Sequence, residues 1–152
     1  MSGVQPPGRV TAGSSGKDPS MSTTTAQEAA LPFEPGEAPQ VGTLERRVLD
    51  VLWKTKQAHT TRSVLEVLTS GAAPHPAYTT VATVLGHLVD KQLATRELIG
   101  QVWSYTAALS GCEFSAAHMV RALGETNDRR RCLASFATSL DPADRAYLKS
   151  LL

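Results

Sequence analysis

AYTTVATVLGHLVDKQLATRELIGQVWSY, residues 77–105, changes its hydrophobic period halfway along. Residues 78–91 repeat apolar side chains every three or four positions, which predicts a helix with one face buried against a core. The apolar period then becomes two, which predicts strands over 95–98 and 102–106 with a tight turn at Ile99-Gly100-Gln101. A helix that leads directly into a hairpin is typical of a winged helix-turn-helix. A generic α+β segment is the alternative.

The residues before this stretch contain signals for two more helices. Thr43 is a candidate N-cap, and apolar residues follow it at helical spacing. Thr60 or Thr61 can cap a second amphipathic helix. Pro74 and Pro76 exclude helix from the connection to the third helix, because proline lacks the amide hydrogen that a helix needs.

Three short helices followed by a hairpin give the order of elements in a winged helix-turn-helix. The sequence therefore predicts a mainly α fold with a small β-hairpin, in which residues 41–108 form a DNA-binding domain. Its recognition helix is predicted at 78–91 and its wing at 95–106. Residues 41–152 carry 13 Lys and Arg against 10 Asp and Glu, a balance that is compatible with DNA binding without arguing for it.

Residues 109–152 differ in character from the rest. Ser110 and Glu113 have the spacing of a capping box, Asp128 can cap the next helix, and Asp141-Pro142 begins a third. Three short helices with narrow apolar stripes make a core too thin to be stable alone. We therefore predict a helical dimerisation domain, with an intrachain packing layer as the alternative. The predicted dimer interface consists of large apolar side chains: Phe114, Leu133, Phe136, Leu140, Leu148 and Leu151.

Residues 1–40 are rich in Gly, Ser, Pro, Thr and Ala and contain few large apolar side chains. Such a segment buries too little surface to offset the entropy of ordering, which predicts a disordered N-terminal tail. Met21 is a candidate alternative start.

The composition narrows the class of protein. The chain has 152 residues, a mass of 16.2 kDa and a formal net charge of +1. The sequence contains no apolar run of about 18 residues and no signal-peptide core, so we expect a cytoplasmic protein with no stable membrane association. Cys112 and Cys132 are expected to be reduced thiols. No metal-binding motif, phosphate-binding loop or nucleophile elbow occurs, so we expect neither an enzyme nor a cofactor.

Three segments of the chain carry a family resemblance: LERRVLDVLW at 44–53, AYTTVATVLGHLVDKQL at 77–93 and WSYTA at 103–107. With the short helical segment that follows, they resemble the BlaI/MecI/CopY family of bacterial repressors, the penicillinase repressor family, which control β-lactamase and related genes. The resemblance covers the chain from Thr43 to Leu152. It implies a homodimer that binds a pseudo-palindromic DNA operator and represses transcription.

The resemblance also implies a route by which repression is relieved. In β-lactam-responsive members, a membrane sensor-protease system leads to cleavage in the C-terminal domain. The matching bond here joins Ser135 to Phe136, with Ser where those members have Asn. Two further departures are His87, where members usually carry Arg or Lys, and the uncharged wing turn 98–101. The cysteine-rich copper site of the CopY branch does not occur in this sequence.

Candidate DNA-contacting residues lie on the polar side of the recognition helix and beside it. Thr79, Thr80 and Thr83 each offer a hydroxyl to base edges and a methyl to thymine, with a solvated helix face as the alternative. Ala82 permits close approach, and Tyr78 is predicted either to bind a phosphate or to pack on the hairpin. Phosphate contacts are predicted, against ordinary surface positions, for four further residues: Arg62, Arg96, His87 and Lys91.

The two tryptophans are predicted to pack rather than to bind DNA, with Trp53 in the core and Trp103 anchoring the wing. The sequence as a whole thus favours a homodimeric DNA-binding repressor. The alternative is a winged helix used as a protein–protein interaction module, which the weakly basic wing permits.

Overall fold

The computed structural model describes Gly3, residues 31–72 and residues 74–152. A 3₁₀ turn at Pro35–Glu37 precedes three helices and a first strand: α1 (Thr43–Lys54), β1 (His59–Thr60), α2 (Thr61–Thr69) and α3 (Tyr78–Asp90). The chain then forms the hairpin β2 (Ala94–Ile99) and β3 (Val102–Ala107). Three helices follow: α4 (Gly111–Gly124), α5 (Arg129–Ser139) and α6 (Pro142–Leu151). The predicted class, mainly α with a winged helix-turn-helix, is confirmed.

The three strands form one antiparallel sheet in the order β1-β3-β2. Ile99 pairs with Val102 at the tip of the hairpin, and Thr60 pairs with Ser104 on the other side of β3. Gly100, the first residue of the two-residue turn, has a φ of +66°, which glycine adopts without steric cost. The sequence did not indicate β1, because two residues are too few to show an alternating pattern.

The core lies where the first three helices meet the base of the hairpin. The predicted stripe of α3 is buried there, and Val81, Leu85 and Leu88 are fully inaccessible to solvent. Fully burying a side chain of this size stabilises a fold by about 1.5–3 kcal/mol. Leu93 and Tyr105 of the hairpin region complete the cluster against α1 and α2. Burial of one face of α3 leaves its opposite face outward.

The end of α3 directs the chain into the hairpin. Leu93 N–H donates to the Leu88 carbonyl at 2.9 Å and Gln92 N–H to the Val89 carbonyl at 3.0 Å, the pair of bonds that defines a Schellman motif. Gln92 takes the left-handed conformation that this motif requires, with a φ of +60°. A non-glycine residue pays about 1–2 kcal/mol for that conformation, so the exit from α3 is held by these bonds and by the burial of Leu93.

Four predicted helix caps are confirmed and one is wrong. The side chains of Thr60, Ser110, Asp128 and Asp141 each accept a hydrogen bond from an amide in the first turn of their helix. Gly42, not Thr43, is the N-cap of α1, and its N–H donates to Glu45 Oε2 at 2.7 Å. The Glu45 carboxylate thus binds the amide of the N-cap residue itself, and no side-chain hydroxyl caps the first turn of α1.

The predicted tail is too long at its C-terminal end. Leu31, Phe33 and Val41 pack against the core, and Ala38 is fully buried. A segment with few apolar residues is ordered here because those residues dock on a core that the helices have already built. The prediction of disorder for residues 1–30 lies outside the described residues, apart from Gly3.

The first half of α4 belongs to the winged-helix body. Phe114 is only 3% exposed, and its ring centroid lies 5.3 Å from that of Trp53. Trp53 Nε1 donates to the Leu109 carbonyl at 2.9 Å, and a Cβ on Gly111 would lie 3.1 Å from the Trp53 ring. The prediction that Phe114 lines a dimer interface is therefore wrong, because this side chain already closes the core of its own chain. Packing does not change character at residue 108, where the domain boundary was predicted.

Candidate nucleic-acid interface

The outer face of α3 is exposed, uncharged and built of short side chains. Thr79, Thr80 and Thr83 are all exposed, and Ala82 beside them is half-buried. Thr83 Oγ1 donates to the Thr79 carbonyl at 2.9 Å, so its proton is used within the helix while its lone pairs and methyl face outward. Among the described residues, the Thr79 and Thr80 hydroxyls have no hydrogen-bond partner. These two threonines are therefore better able than Thr83 to donate to an external acceptor.

A groove of about 600 Å³ separates this face from the wing. The start of α2 contributes Thr61 and Arg62, α3 contributes Tyr78 and Ala82, and the wing contributes Trp103. The fold thus brings three predicted site residues, from α2 and α3, to one concave surface. Tyr78 is 52% exposed, so its hydroxyl is available at the rim rather than packed under the hairpin.

The start of α2 is held in place by hydrogen bonds among three polar residues. Ser63 N–H donates to Thr60 Oγ1 at 3.2 Å, and His59 Nδ1 lies 3.1 Å from Ser63 Oγ. Arg62 projects from the first turn of α2 and is exposed. The positive end of a helix dipole and a guanidinium therefore occupy the same edge of the groove, which favours an anionic ligand there.

The wing presents one arginine on an aromatic ring. The Arg96 guanidinium carbon lies 4.5 Å from the centre of the Trp103 ring, a cation–π contact that restricts the guanidinium while its N–H groups stay free to donate. Trp103 remains 43% exposed, whereas Tyr105 is buried to 5%. Tyr105 is thus the side chain that anchors the hairpin in the core, a role that the sequence had suggested for Trp103. Both face the same side of β3, but only Tyr105 is near enough to the helices to be covered.

Lys91 is occupied by contacts within the chain. It caps the C-terminal end of α3, and its Nζ donates to Glu45 Oε1 at 2.8 Å and to the Gln40 carbonyl at 2.9 Å. Burial acts to raise the pKa of Glu45, but hydrogen bonds from Lys91 and Gly42 and the charge of Lys91 outweigh it, so this pKa is lowered. A phosphate contact by Lys91, as predicted, would require these bonds to break. His87, one turn earlier, is exposed and free of such contacts among the described residues.

The tip of the wing is apolar. Leu98, Ile99 and Val102 are each more than half exposed, and the two turn residues between the strands are uncharged. Of the arginines predicted to bind phosphate, Arg62 lines the groove, and Arg96 lies against Trp103, which lines the groove from the wing.

Two further features concern the part of the chain that the structure describes. Within residues 31–72 and 74–152, no helix combines the length and the hydropathy needed to cross a membrane. The same described ranges contain no group of three or more His, Cys, Asp or Glu side chains placed to hold a metal ion.

Comparisons with known proteins identify the family of this chain. Residues 41–152 match the family model of the penicillinase repressor. Over 110 residues the chain is 36% identical to the transcriptional regulator BlaI of Mycobacterium tuberculosis, in both strain CDC 1551 / Oshkosh and strain ATCC 25618 / H37Rv, and the alignment covers 69% of this chain and 78% of the relative. The solution structure of the monomeric form of Bacillus licheniformis BlaI, in complex with the blaP half-operator, is 25% identical. It covers 51% of this chain and 90% of that one, with a TM-score of 0.42. The chain described here belongs to the penicillinase repressor family of DNA-binding transcriptional regulators.

Proposed function

We propose that two copies of this chain bind a pseudo-palindromic DNA operator and repress transcription by occupying it. The observation that carries the proposal is the outer face of α3, which is exposed and uncharged and borders a groove that is lined by Arg62 and by Trp103, the ring on which Arg96 lies. A B-form major groove is about 12 Å wide and admits one helix. Short side chains let the backbone of that helix approach the base edges closely.

Base readout is assigned to the threonine face. Thr80 donates or accepts through a free hydroxyl, and Thr83 offers its methyl and lone pairs because its proton is bonded to the Thr79 carbonyl. Ala82 allows the helix to sit deep, and Thr79 lies at its N-terminal end, where recognition helices contact bases. Thymine methyls and base-edge donors are the groups that such side chains select.

Phosphate contacts are assigned to the edges of the groove. Arg62 at the start of α2 and Arg96 on the wing supply charge, while Tyr78 and His87 supply further hydrogen-bond donors on α3. Such contacts fix the register of the protein on the duplex without reading sequence. Because Lys91 is bound to Glu45 and Gln40, it is left out of this set.

Dimerisation is assigned to α5 and α6. Leu133 and Phe136 on α5 are 42% and 40% exposed, and Leu148 and Leu151 on α6 are 37% and 62% exposed. Leu140, at the C-cap of α5, lies partly buried on the same side. Several large apolar side chains left exposed on two short helices mark an interaction site, and a second copy of the chain would cover them.

Relief of repression by proteolysis is part of the proposal. Ser135 and Phe136 lie in the middle of α5 and are exposed, but a protease needs the helix to open locally before it can cut the bond between them. Cleavage there would separate α6 and the second part of α5 from the body, and with them every side chain of the proposed interface except Leu133. The test is an immunoblot for the intact chain after exposure to a cell-wall antibiotic. Persistence of the full-length chain while its target genes turn on would exclude this switch.

The DNA-binding proposal is tested by retention on random-sequence DNA and by selection of a preferred duplex from a random pool. Retention should fall steeply between about 50 and 200 mM salt, because bound phosphates release counterions. Replacing Arg62 with Ala should lower the salt slope by about one, while replacing Thr80 with Ala should cost ~1–3 kcal/mol on the selected duplex only. Arg129→Ala, which removes an exposed charge from α5, is the matched control.

The alternative function is a protein–protein interaction module, which the apolar wing tip at Leu98, Ile99 and Val102 favours. Retention that is absent or insensitive to salt would support this alternative. Equal losses by the Thr80 variant on selected and random DNA would contradict the assignment of base readout to α3.

A further inference from the structure

Residues 31–41 form an extended segment that lies across the body, and we refer to it as the strap. Leu31, Phe33 and Val41 pack on the core from its edge, and Ala38 is completely buried. The strap holds one turn of 3₁₀ helix, in which Glu37 N–H donates to the Glu34 carbonyl at 2.8 Å. Residues 31–40 precede the part of the chain that matches the family model. The strap is therefore an element that the family likeness does not describe.

One end of the strap is bonded to the body. Lys91 Nζ donates to the Gln40 carbonyl at 2.9 Å and also pairs with Glu45 of α1. Since Lys91 is the C-cap of α3, the strap is fixed directly to the end of the helix that is proposed to read DNA. The Glu45 side chain is only 13% exposed, so this ion pair is poorly screened by solvent.

The middle of the strap is bonded to α4. Arg121 Nη1 donates to the Ala38 carbonyl, and Arg121 Nε donates to Glu125 Oε1 at 2.8 Å within α4. The intrahelical pair holds the guanidinium in the position from which it reaches the strap. The 3₁₀ turn lies against α4 over the same region.

The strap supports a part of α4 that the core does not. Phe114 and Ala117, in the first two turns, are the only residues of this fully described helix that are buried. Met119 and Val120 are exposed, so the second half of α4 projects from the body with the strap and Arg121 alongside it. Because α5 and α6 follow α4, the direction of α4 decides where they lie relative to α3.

We infer that the strap is a conformational device that fixes the direction of α4 relative to α3. It thereby sets how far apart, and at what angle, two recognition helices are held when the C-terminal helices pair. The consequence for DNA rests on the proposed function. A fixed connection keeps the effective concentration of the second recognition helix high at the second half-site, and a loose connection lowers it. Affinity for a single half-site does not depend on the connection.

The first measurement needs no DNA. Cysteines for spin labels are introduced at Thr69 and Ala122, which are both exposed, in the full chain with Cys112 and Cys132 replaced by serine. The distance between the two labels reports the distance between α2 and the end of α4. Labelled chain is diluted into unlabelled chain so that only distances within one copy count. Without further changes, one narrow distance distribution is expected.

Two variants release the strap in different ways. Ala38→Asp puts an unpaired carboxylate at a fully buried position, and Arg121→Ala removes the bond to α4 without entering the core. Both should lose the narrow distribution, while Arg129→Ala should keep it. If Ala38→Asp unfolds the chain, Arg121→Ala decides alone. A narrow distribution in the Arg121 variant, with the wild-type mean distance, would overturn the inference.

The second measurement separates this inference from the proposed function. On duplexes selected from a random pool, the ratio of two-half-site to one-half-site affinity should fall about ten-fold in Arg121→Ala, and one-half-site affinity should stay as in the wild type. An unchanged ratio would overturn the link to DNA. If the wild-type chain binds no DNA, the proposed function fails while the distance measurement still decides whether the strap fixes α4.

Discussion

The winged-helix body and the pair α5–α6 contain the same kinds of amphipathic helix, yet only the first buries its apolar stripes. Leu49, Leu85 and Leu88 are fully buried in the body, whereas no residue of α5 or α6 is buried, and both helices are described in full. Helices of both regions begin at side-chain N-caps, at Thr60 in the body and at Asp128 and Asp141 in the pair. An amphipathic stripe therefore indicates that a helix packs against another surface. Whether that surface belongs to the same chain depends on the rest of the fold.

The α5–α6 corner shows what holds a helix pair that has no core. Arg145 of α6 donates to three backbone carbonyl groups at the end of α5: those of Ala137, Thr138 and Leu140, at 3.0 to 3.1 Å. Asp141 accepts from Asp144 N–H at 2.8 Å and caps α6 at the same corner. These polar bonds hold α6 at a defined angle to α5 although no side chain of either helix is buried, as the proposed dimer requires.

The largest effect is expected from a cavity in the body. Leu85→Ala removes a fully buried side chain of α3 and should lower the free energy of unfolding by ~2–5 kcal/mol. Leu151→Ala, at an exposed position of α6, should have no comparable effect in a sample dilute enough to be monomeric. Urea unfolding at low protein concentration measures both. Equal losses would show that α6 shares the core of the body.

A charge on the exposed stripe should separate the two copies. Leu148→Glu places a carboxylate in the proposed interface and should weaken dimerisation by about 100-fold or more, equivalent to roughly 2.7 kcal/mol. Ser150→Glu adds the same charge on the opposite side of α6 and should leave the dimer intact. Sedimentation equilibrium of both variants checks this expectation. A Leu148 variant that dimerises like the wild type would place the interface elsewhere.

The smallest effect concerns the ion pair between α1 and the end of α3. The pKa of Glu45 is lowered in the fold, so its contribution to stability is present above its ordinary value of 4.5 and is lost as the pH falls through the lowered value. Glu45→Gln should therefore cost ~1–2 kcal/mol near pH 7, and the difference from the wild type should shrink in acid.

Unfolding by urea at pH 7 and at several values below 4.5 measures the effect of this substitution. Glu66→Gln, at an exposed position of α2, controls for the loss of a carboxylate as such. A cost that stays constant down to the acid end would mean that the Glu45 carboxylate does not contribute through its charge.

Local chemistry made much of this molecule predictable from its sequence. The apolar stripe of α3, the hairpin that follows it and the caps at Thr60, Ser110, Asp128 and Asp141 all depend on residues within about one turn of each other. Such interactions can be predicted from the sequence because they depend only on how far apart the residues are along the chain. The exposed threonine face of α3 follows from the same periodicity, since burying one side of a helix leaves the other outside.

Only the tertiary structure decided what depends on contacts between distant residues. Arg121 of α4, more than 80 residues further along the chain, donates to the Ala38 carbonyl, and Lys91 is bonded to Glu45 and Gln40 rather than left free for DNA. Phe114 closes the core of its own chain because Trp53 lies where its ring can pack. Composition marks residues 31–40 as unable to fold alone, and the sequence by itself establishes no more than that. Residues 31–40 are ordered because they pack on a surface that the helices form, and no pattern within these residues themselves predicts that surface.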